Sequence, residues 1–200
     1  EHGNKIFQKA NDLGMPVEEY VAENTKKFRE FVEKLDASYT DFIRTTDVDH
    51  ERRCQEIWRR LSDHIYKAKY EGWYCSGCER FITQKEYNEN DGICPDHQKP
   101  YEKLVEENYY LRVSDFKDKI REAIESDGML ILPDFRKKEI LKLLEDSPDV
   151  SISRSTEQLT WGVPVPGDDT QVMYVWIDAL SNYITVLGYP DKDISDWWPA

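Results

Sequence analysis

Tyr70-Glu71-Gly72-Trp73-Tyr74-Cys75-Ser76-Gly77-Cys78, followed after an intervening fifteen residues by Cys94-Pro95-Asp96-His97, decides how this chain is organised. The spacing is C-x2-C, a gap, then C-x2-H. Two residues between soft ligands let a tight knuckle aim both side chains at one ion. Two knuckles complete a tetrahedron of three sulfurs and one imidazole. That closed set, Cys75, Cys78, Cys94 and His97, suits a structural Zn²⁺, with Gly77, Gly92 and Pro95 supplying turns. Other uses of these residues fit less well. Disulfide pairing leaves an odd cysteine, and no signal peptide precedes them. A redox C-x-x-C needs a strand-to-helix junction, whereas Trp73-Tyr74 precedes this one and a polar segment follows. His97 read as an ordinary surface histidine leaves unexplained why its offset from Cys94 repeats that of Cys78 from Cys75. The fourth cysteine, Cys54, shares a helical face with Ile57, Trp58, Leu61 and Ile65 and reads as a small buried apolar side chain.

Two hundred residues suffice for one or two domains with a real core. The net charge of −13, from 40 acids against 27 bases, opposes DNA or any extended nucleic-acid surface, because phosphate binding is driven by clustered Lys and Arg. No apolar run approaches the roughly 20 residues that a bilayer requires. Reduced zinc-ligand cysteines fit a cytosol-like compartment. Both ends read as cut rather than natural: there is no initiator Met, and Asp196-Trp197-Trp198-Pro199-Ala200 calls for more protein around it.

Periodicity predicts a short helix over 3–14, stopped by Gly14, and a second from Pro16 to about Leu35 with Val17, Val21, Phe28, Phe31, Val32 and Leu35 on a 3.6 period. Ser38–Thr45 reads as extended. Thr46 or Asp47 is placed to cap a third helix reaching about Tyr66. Residues 68–113 are irregular and rich in β-favouring Tyr, Trp, Phe and Val. Helices resume at about 114–126 and 133–145. Val150–Arg154 reads as a strand, Trp161–Asp169 as a Pro/Gly loop, and Val172–Trp176 as an apolar β run leading into a helix through Tyr183 to Leu187. The order suggests a zinc-containing module inserted into a larger α/β domain.

Several stretches together resemble the methionyl-tRNA synthetase family. They are Asp41-Phe42-Ile43-Arg44-Thr45-Thr46, Glu71–Cys75 with the second knuckle, Glu107-Asn108-Tyr109-Tyr110, Ser151-Ile152-Ser153-Arg154, Trp161–Pro166, Tyr174-Val175-Trp176-Ile177-Asp178-Ala179-Leu180, and Trp197–Ala200. They cover essentially the whole chain in order, and the Cys-Cys-Cys-His set resembles the single-zinc bacterial-type branch. The resemblance implies a class I enzyme. Its α/β Rossmann catalytic domain is split by a zinc-bearing connective peptide. It activates methionine with ATP and Mg²⁺ to methionyl-adenylate and then esterifies the 3′ end of tRNA(Met), in the cytoplasm or an organelle. Residues 1–66 would belong to the first Rossmann half, 67–148 mostly to the connective peptide, and 149–200 to the start of the second half. The family's H-I-G-H and K-M-S-K-S stretches, and the acid that holds the substrate amine, would lie outside this sequence. The chain alone is therefore expected to be inactive.

By the same resemblance Trp176, Ala179, Leu180, Tyr183 and Ile184 line a methionine pocket. A thioether is apolar and polarizable and favours aromatic contact. Such a stripe at helical spacing is otherwise ordinary core. Arg154 matches the family's active-site arginine, suited to stabilise charge during adenylate formation; without the resemblance it reads as a strand-end surface arginine. His2 follows the missing acid and is placed near the pocket. Arg52, Arg53, Arg59 and Arg60 form a basic helix face that reads as solvated rather than tRNA-binding. The alternative for the whole chain is a non-catalytic, zinc-stabilised module that binds RNA or protein, with Trp73, Tyr74 and Phe81 flanking the knuckles.

Overall fold

A long antiparallel hairpin carries the β- and aromatic-rich middle of the chain. The computed structural model describes residues 1–78 and 80–198. Strand β1 (Ile65–Cys75) pairs with β3 (Glu102–Leu111) from Ile65↔Leu111 to Tyr74↔Glu102. At the hairpin tip, β2 (Arg80–Ile82) folds back on β1, and helix α4 (Gln84–Glu89) follows. The signal for α4 stands in the sequence as Thr83-Gln84-Lys85-Glu86. Thr83 Oγ1 accepts from the Glu86 backbone, and the Glu86 carboxylate accepts from the Thr83 backbone, a capping box.

Before the hairpin come α1 (Asn4–Asp12), α2 (Val17–Lys34) and α3 (Val48–Arg60). After it come α5 (Lys117–Glu125) and α6 (Lys137–Asp146), packed on each other. Then β4 (Val150–Ser151) closes the first sheet, order β2-β1-β3-β4. A second sheet is built of β5 (Ser153–Ser155), β6 (Pro164–Val165) and β7 (Asp168–Met173), order β5-β7-β6, and leads into α7 (Val175–Thr185). Alternate residues of β3 turn Tyr109 and Leu111 toward a core of Cys54, Trp58, Ile152, Val163, Val165 and Met173. Trp58 meets Tyr109 edge-on at 5.5 Å. Every strand pairing among the described residues is antiparallel, so they show a mixed α/β arrangement without the parallel pairing of a Rossmann sheet. No helix among them is long and apolar enough to cross a membrane.

Five local expectations change. The third helix ends at Arg60, not near Tyr66, because Ile65 and Tyr66 are taken into the ladder opposite Leu111 and Tyr110. Its Asp47 accepts from the Arg44 backbone rather than capping the helix with its side chain. Residues 38–45 have no strand partner among the described residues; Phe42 instead packs against Tyr39 and under the Arg29 guanidinium. The strand expected over Val150–Arg154 is split between the two sheets. The Ile152 N–H donates to the Tyr109 carbonyl of one sheet, and its carbonyl accepts from Tyr174 after β7. The β run expected over Val172–Trp176 ends at Met173, and Tyr174, still extended, is the N-cap residue of α7, which starts at Val175. Pro199 and Ala200 of the Trp197–Ala200 stretch lie outside the described residues.

Candidate functional site

The hairpin tip brings Cys75, Cys78, Cys94 and His97 together, with their ligand atoms all within 4.8 Å of one another. Cys78 Sγ lies 3.5 Å from Cys94 Sγ and 3.4 Å from His97 Nδ1, and Cys94 Sγ lies 3.5 Å from the same nitrogen. A tetrahedron with Zn–S of about 2.3 Å and Zn–N of about 2.0 Å has edges of about 3.5–3.8 Å, so the donor set fits this ion. The cradle is tight: a Cβ at Gly77 would stand 2.4 Å from His97 Cγ. Around it Cys75, Ile82, Cys94 and Tyr101 form a small core with Trp73 and Tyr87, whose rings stack at 4.0 Å. Burial raises the Cys94 thiol, but hydrogen bonds with His97, Cys75 and Cys78 outweigh it and pull the group down to about 6. Burial, with hydrogen bonds to Cys75 and Cys94, pushes Cys78 up to about 12. Crowded sulfurs of this kind ionise together only beside a cation. Cys54 is elsewhere, buried in the main core, and burial pushes its thiol up to about 12.

Helix α7 inverts the usual amphipathic pattern. Its large side chains Trp176, Leu180 and Tyr183 are 60%, 58% and 63% exposed, whereas Asp178 and Thr185 on the opposite face are 1% and 0%. Trp176, Leu180, Tyr183 and Ile184 line an open apolar groove completed by Ile57, Leu61, Leu111, Ile152, Tyr174 and Trp198. Ala179 is partly buried and does not line that groove. Core packing therefore does not account for the stripe.

Arg154 is 8% exposed, not a surface residue. Its guanidinium lies over the Tyr174 ring at 4.2 Å, and Nη1 donates to Ser151 Oγ at 2.8 Å and to the Ser153 carbonyl at 2.7 Å. Nε and Nη2 have no hydrogen-bond partner among the described residues. The residue lines a cavity with Gly3, Asn4, Gln158, Val175 and, from the hairpin, Tyr74, Ser76 and Leu104. The cavity thus reaches from Ser76 in the first Cys/His knuckle to the start of α7. Tyr174 borders both the cavity and the apolar groove.

His2, expected near the pocket, is held against α7 and α3 by partners that no local sequence pattern signals. Its Nδ1 hydrogen-bonds the Asp178 carboxylate and its Nε2 lies 3.6 Å from Glu51 on α3. Burial opposes the charged ring, but Asp178 and Glu51 raise the His2 pKa above the ordinary value. His50 on α3 holds the other end of the helix through Thr185 Oγ1 at 2.7 Å, and burial lowers its pKa. These contacts span 176 and 135 residues of sequence, with no local signal. The basic face of α3 is engaged internally: Arg52 and Arg53 bind Asp191, and Arg59 and Arg60 pair with Glu56.

The family model described as tRNA synthetases class I (M) matches residues 1–103 and 96–200, which sets the class. The mitochondrial methionine–tRNA ligase of Bos taurus is 39% identical over 100% of this chain and 35% of its own length. The methionine–tRNA ligase of Caldanaerobacter subterraneus subsp. tengcongensis is 42% identical over 100% of this chain and 32% of its own. A structure of Mycobacterium tuberculosis methionyl-tRNA synthetase in complex with methionyl-adenylate superposes with a TM-score of 0.86 at 37% identity, covering 100% of this chain and 40% of that one. The chain belongs to the methionyl-tRNA synthetase family, and it spans about a third of the length of these ligases.

Proposed function

We propose that this chain is the part of a methionine–tRNA ligase that holds the methionine side chain and carries the active-site arginine, with the zinc knuckle as its structural insertion. The observation that carries this reading is the exposed aromatic face of α7, opening on an apolar groove that shares Tyr174 with the Arg154 cavity. Trp176, Leu180, Tyr183 and Ile184 would contact the thioether and its methylenes, whereas Ala179, which the family pattern also assigns to the pocket, lies outside the groove wall. Arg154 has nitrogens free to pair with a carboxylate or phosphate. In this reading it stabilises the negative charge that builds when the methionine carboxylate attacks ATP and pyrophosphate leaves. Mg²⁺ would accompany ATP, and tRNA(Met) would receive the aminoacyl group.

The domain reading goes with it: residues 1–66 and 149–200 as parts of the two Rossmann halves, and 67–148 as the connective peptide. Zn²⁺ on Cys75, Cys78, Cys94 and His97 leaves no open coordination position, so it would supply folding energy rather than chemistry. The 200-residue chain lacks the H-I-G-H and K-M-S-K-S stretches, and by itself would not make adenylate. The competing RNA-binding reading has less support. Trp73 stacks on Tyr87, Tyr74 packs edge-on against Phe81, and the net charge is −13.

Steady-state kinetics on the full-length product of the gene tests the pocket. Removing the indole in Trp176→Ala should raise the methionine KM by about 10–100-fold, the scale of 1–3 kcal/mol in side-chain recognition, and leave the ATP KM in place. Equal rises in both constants, or none, would remove α7 from the pocket.

A further inference from the structure

We propose that His2 is a positioning residue for the methionine pocket: through Asp178 it sets the rotation of α7 that presents Trp176, Leu180 and Tyr183 to the groove. The proposal rests on the reading of that groove as the methionine pocket. Its own support is the inverted character of the helix. Large apolar side chains face outward, while the inward face carries two fully buried polar groups, Asp178 and Thr185, seven residues and two turns apart. Apolar packing is non-directional and tolerates a small helix rotation. Hydrogen bonds weaken steeply off their preferred angle. The two polar anchors are therefore what fixes how α7 is turned.

The anchors are not equivalent. His50 bonds Thr185 Oγ1 beyond the groove residues, and its hydrogen-bonding contact with Asp178 is to the backbone, not to the carboxylate oxygens. His2 holds Asp178, which lies between Trp176 and Leu180 in sequence, so a shift there moves the groove wall directly. His2 Nδ1 bonds Asp178 Oδ2, and Asp178 Oδ1 is buried with no hydrogen-bond partner, so this contact alone orients the carboxylate among the described residues. The imidazole is itself fixed on its other sides. Trp161 packs against it at 5.2 Å, and Glu51 of α3 faces Nε2 at 3.6 Å. The flanking backbone is tied down as well: Trp161 Nε1 donates to the Glu1 carbonyl, and Gly3 N–H donates to the Trp161 carbonyl. A rigid imidazole holding one carboxylate oxygen transmits its position to the helix. Among the described residues His2 does not line the groove, and its hydrogen bond, ion pair and ring contact go to Asp178, Glu51 and Trp161, so its effect is on placement.

The test is methionine-dependent ATP–pyrophosphate exchange on the full-length gene product, with both substrate constants measured. His2→Ala should raise the methionine KM about tenfold or more, with the ATP KM within about twofold of wild type, because misplacement far from the chemistry still degrades fit. His2→Asn, whose amide nitrogen occupies the place of Nδ1, should restore the methionine KM. A merely structural histidine gives a different result: fewer active molecules lower the apparent kcat and leave both KM values unchanged. That outcome, or equal rises in both KM values, or no rescue by asparagine, overturns the proposal. If His2→Ala does not fold, Asp178→Asn carries the test. Its weaker neutral hydrogen bond should raise the methionine KM to a lesser extent, and an unchanged value refutes the role. Wild-type protein without methionine-dependent exchange would instead remove the substrate reading, and this proposal with it.

Discussion

Replacing Gly77 by alanine tests the metal centre through steric contact alone. The added Cβ would stand 2.4 Å from His97 Cγ, 2.6 Å from Cδ2 and 2.8 Å from Nδ1. Unstrained carbon contacts lie at about 3.5–4.0 Å, so the imidazole must withdraw by about 1 Å. A nitrogen displaced that far from a bond of about 2.0 Å is no longer a ligand. Gly77 is not among the glycines with positive φ, so backbone strain does not contribute. Structural zinc sites bind with about 10–16 kcal/mol, so an even share for one of four ligands is about 3 kcal/mol, or roughly a hundredfold in Kd. The assay is competition for Zn²⁺ against a colorimetric chelator, with thermal melts of the same samples. The expected result is one zinc per chain at saturation, a Kd weakened by about a hundredfold, and a lower Tm whenever zinc is limiting. Wild-type zinc affinity in the alanine variant would refute the assignment of His97 as the fourth ligand.

Three further outcomes follow from the same geometry. Cys54→Ala should keep one zinc per chain by elemental analysis while losing about 1 kcal/mol of stability in denaturant titration, since it removes a buried core sulfur and no ligand. Asp168 is held well below the ordinary carboxylate range, chiefly by the Lys67 ammonium at 2.8 Å, with Thr170 and Tyr109 also donating to it. A depressed carboxylate stabilises the fold above its unfolded value of 3.8 and loses that contribution as pH falls through the folded one. Asp168→Asn should therefore flatten the acid limb of a Tm-versus-pH curve below about pH 4, and an unchanged limb would count against the pairing. The purified 200-residue chain should give no methionine-dependent pyrophosphate exchange above a no-enzyme blank, and clear exchange would show that it holds a complete site.

The Cys/His cluster was legible in the sequence because each of its two pairs is local: each knuckle spans four residues, Cys75–Cys78 and Cys94–His97. The third helix was placed correctly at its start, but long-range pairing with Leu111 and Tyr110 set its end. The split of Val150–Arg154 between two sheets has the same origin, since one residue, Ile152, bonds to both. Helix α4 falls in the stretch read as irregular and strand-rich, although Thr83 and Glu86 carry the capping-box signal that would have found it. The α7 stripe was ambiguous by periodicity, because an aromatic face at helical spacing has the same pattern in a core as in a groove. Only its exposure separates the two, and the resemblance to methionyl-tRNA synthetases supplied what the pattern lacked. Arg154 read as a surface strand end because nothing local shows that Tyr174 and Ser151 enclose it. The hold of His2 on Asp178 joins the two ends of the chain and leaves no local pattern at all.

The most direct test of the central reading is methionine-dependent ATP–pyrophosphate exchange by the full-length gene product, measured for wild type and Arg154→Ala. Exchange should require methionine. The variant should lose about a hundredfold or more in kcat/KM, the scale seen when one charge-stabilising group is removed, at unchanged zinc content and with the protein still folded, although loss of the buried contacts to Ser151, Ser153 and Tyr174 lowers its Tm. Exchange driven by a different amino acid, or an Arg154→Ala enzyme as active as wild type, would contradict it.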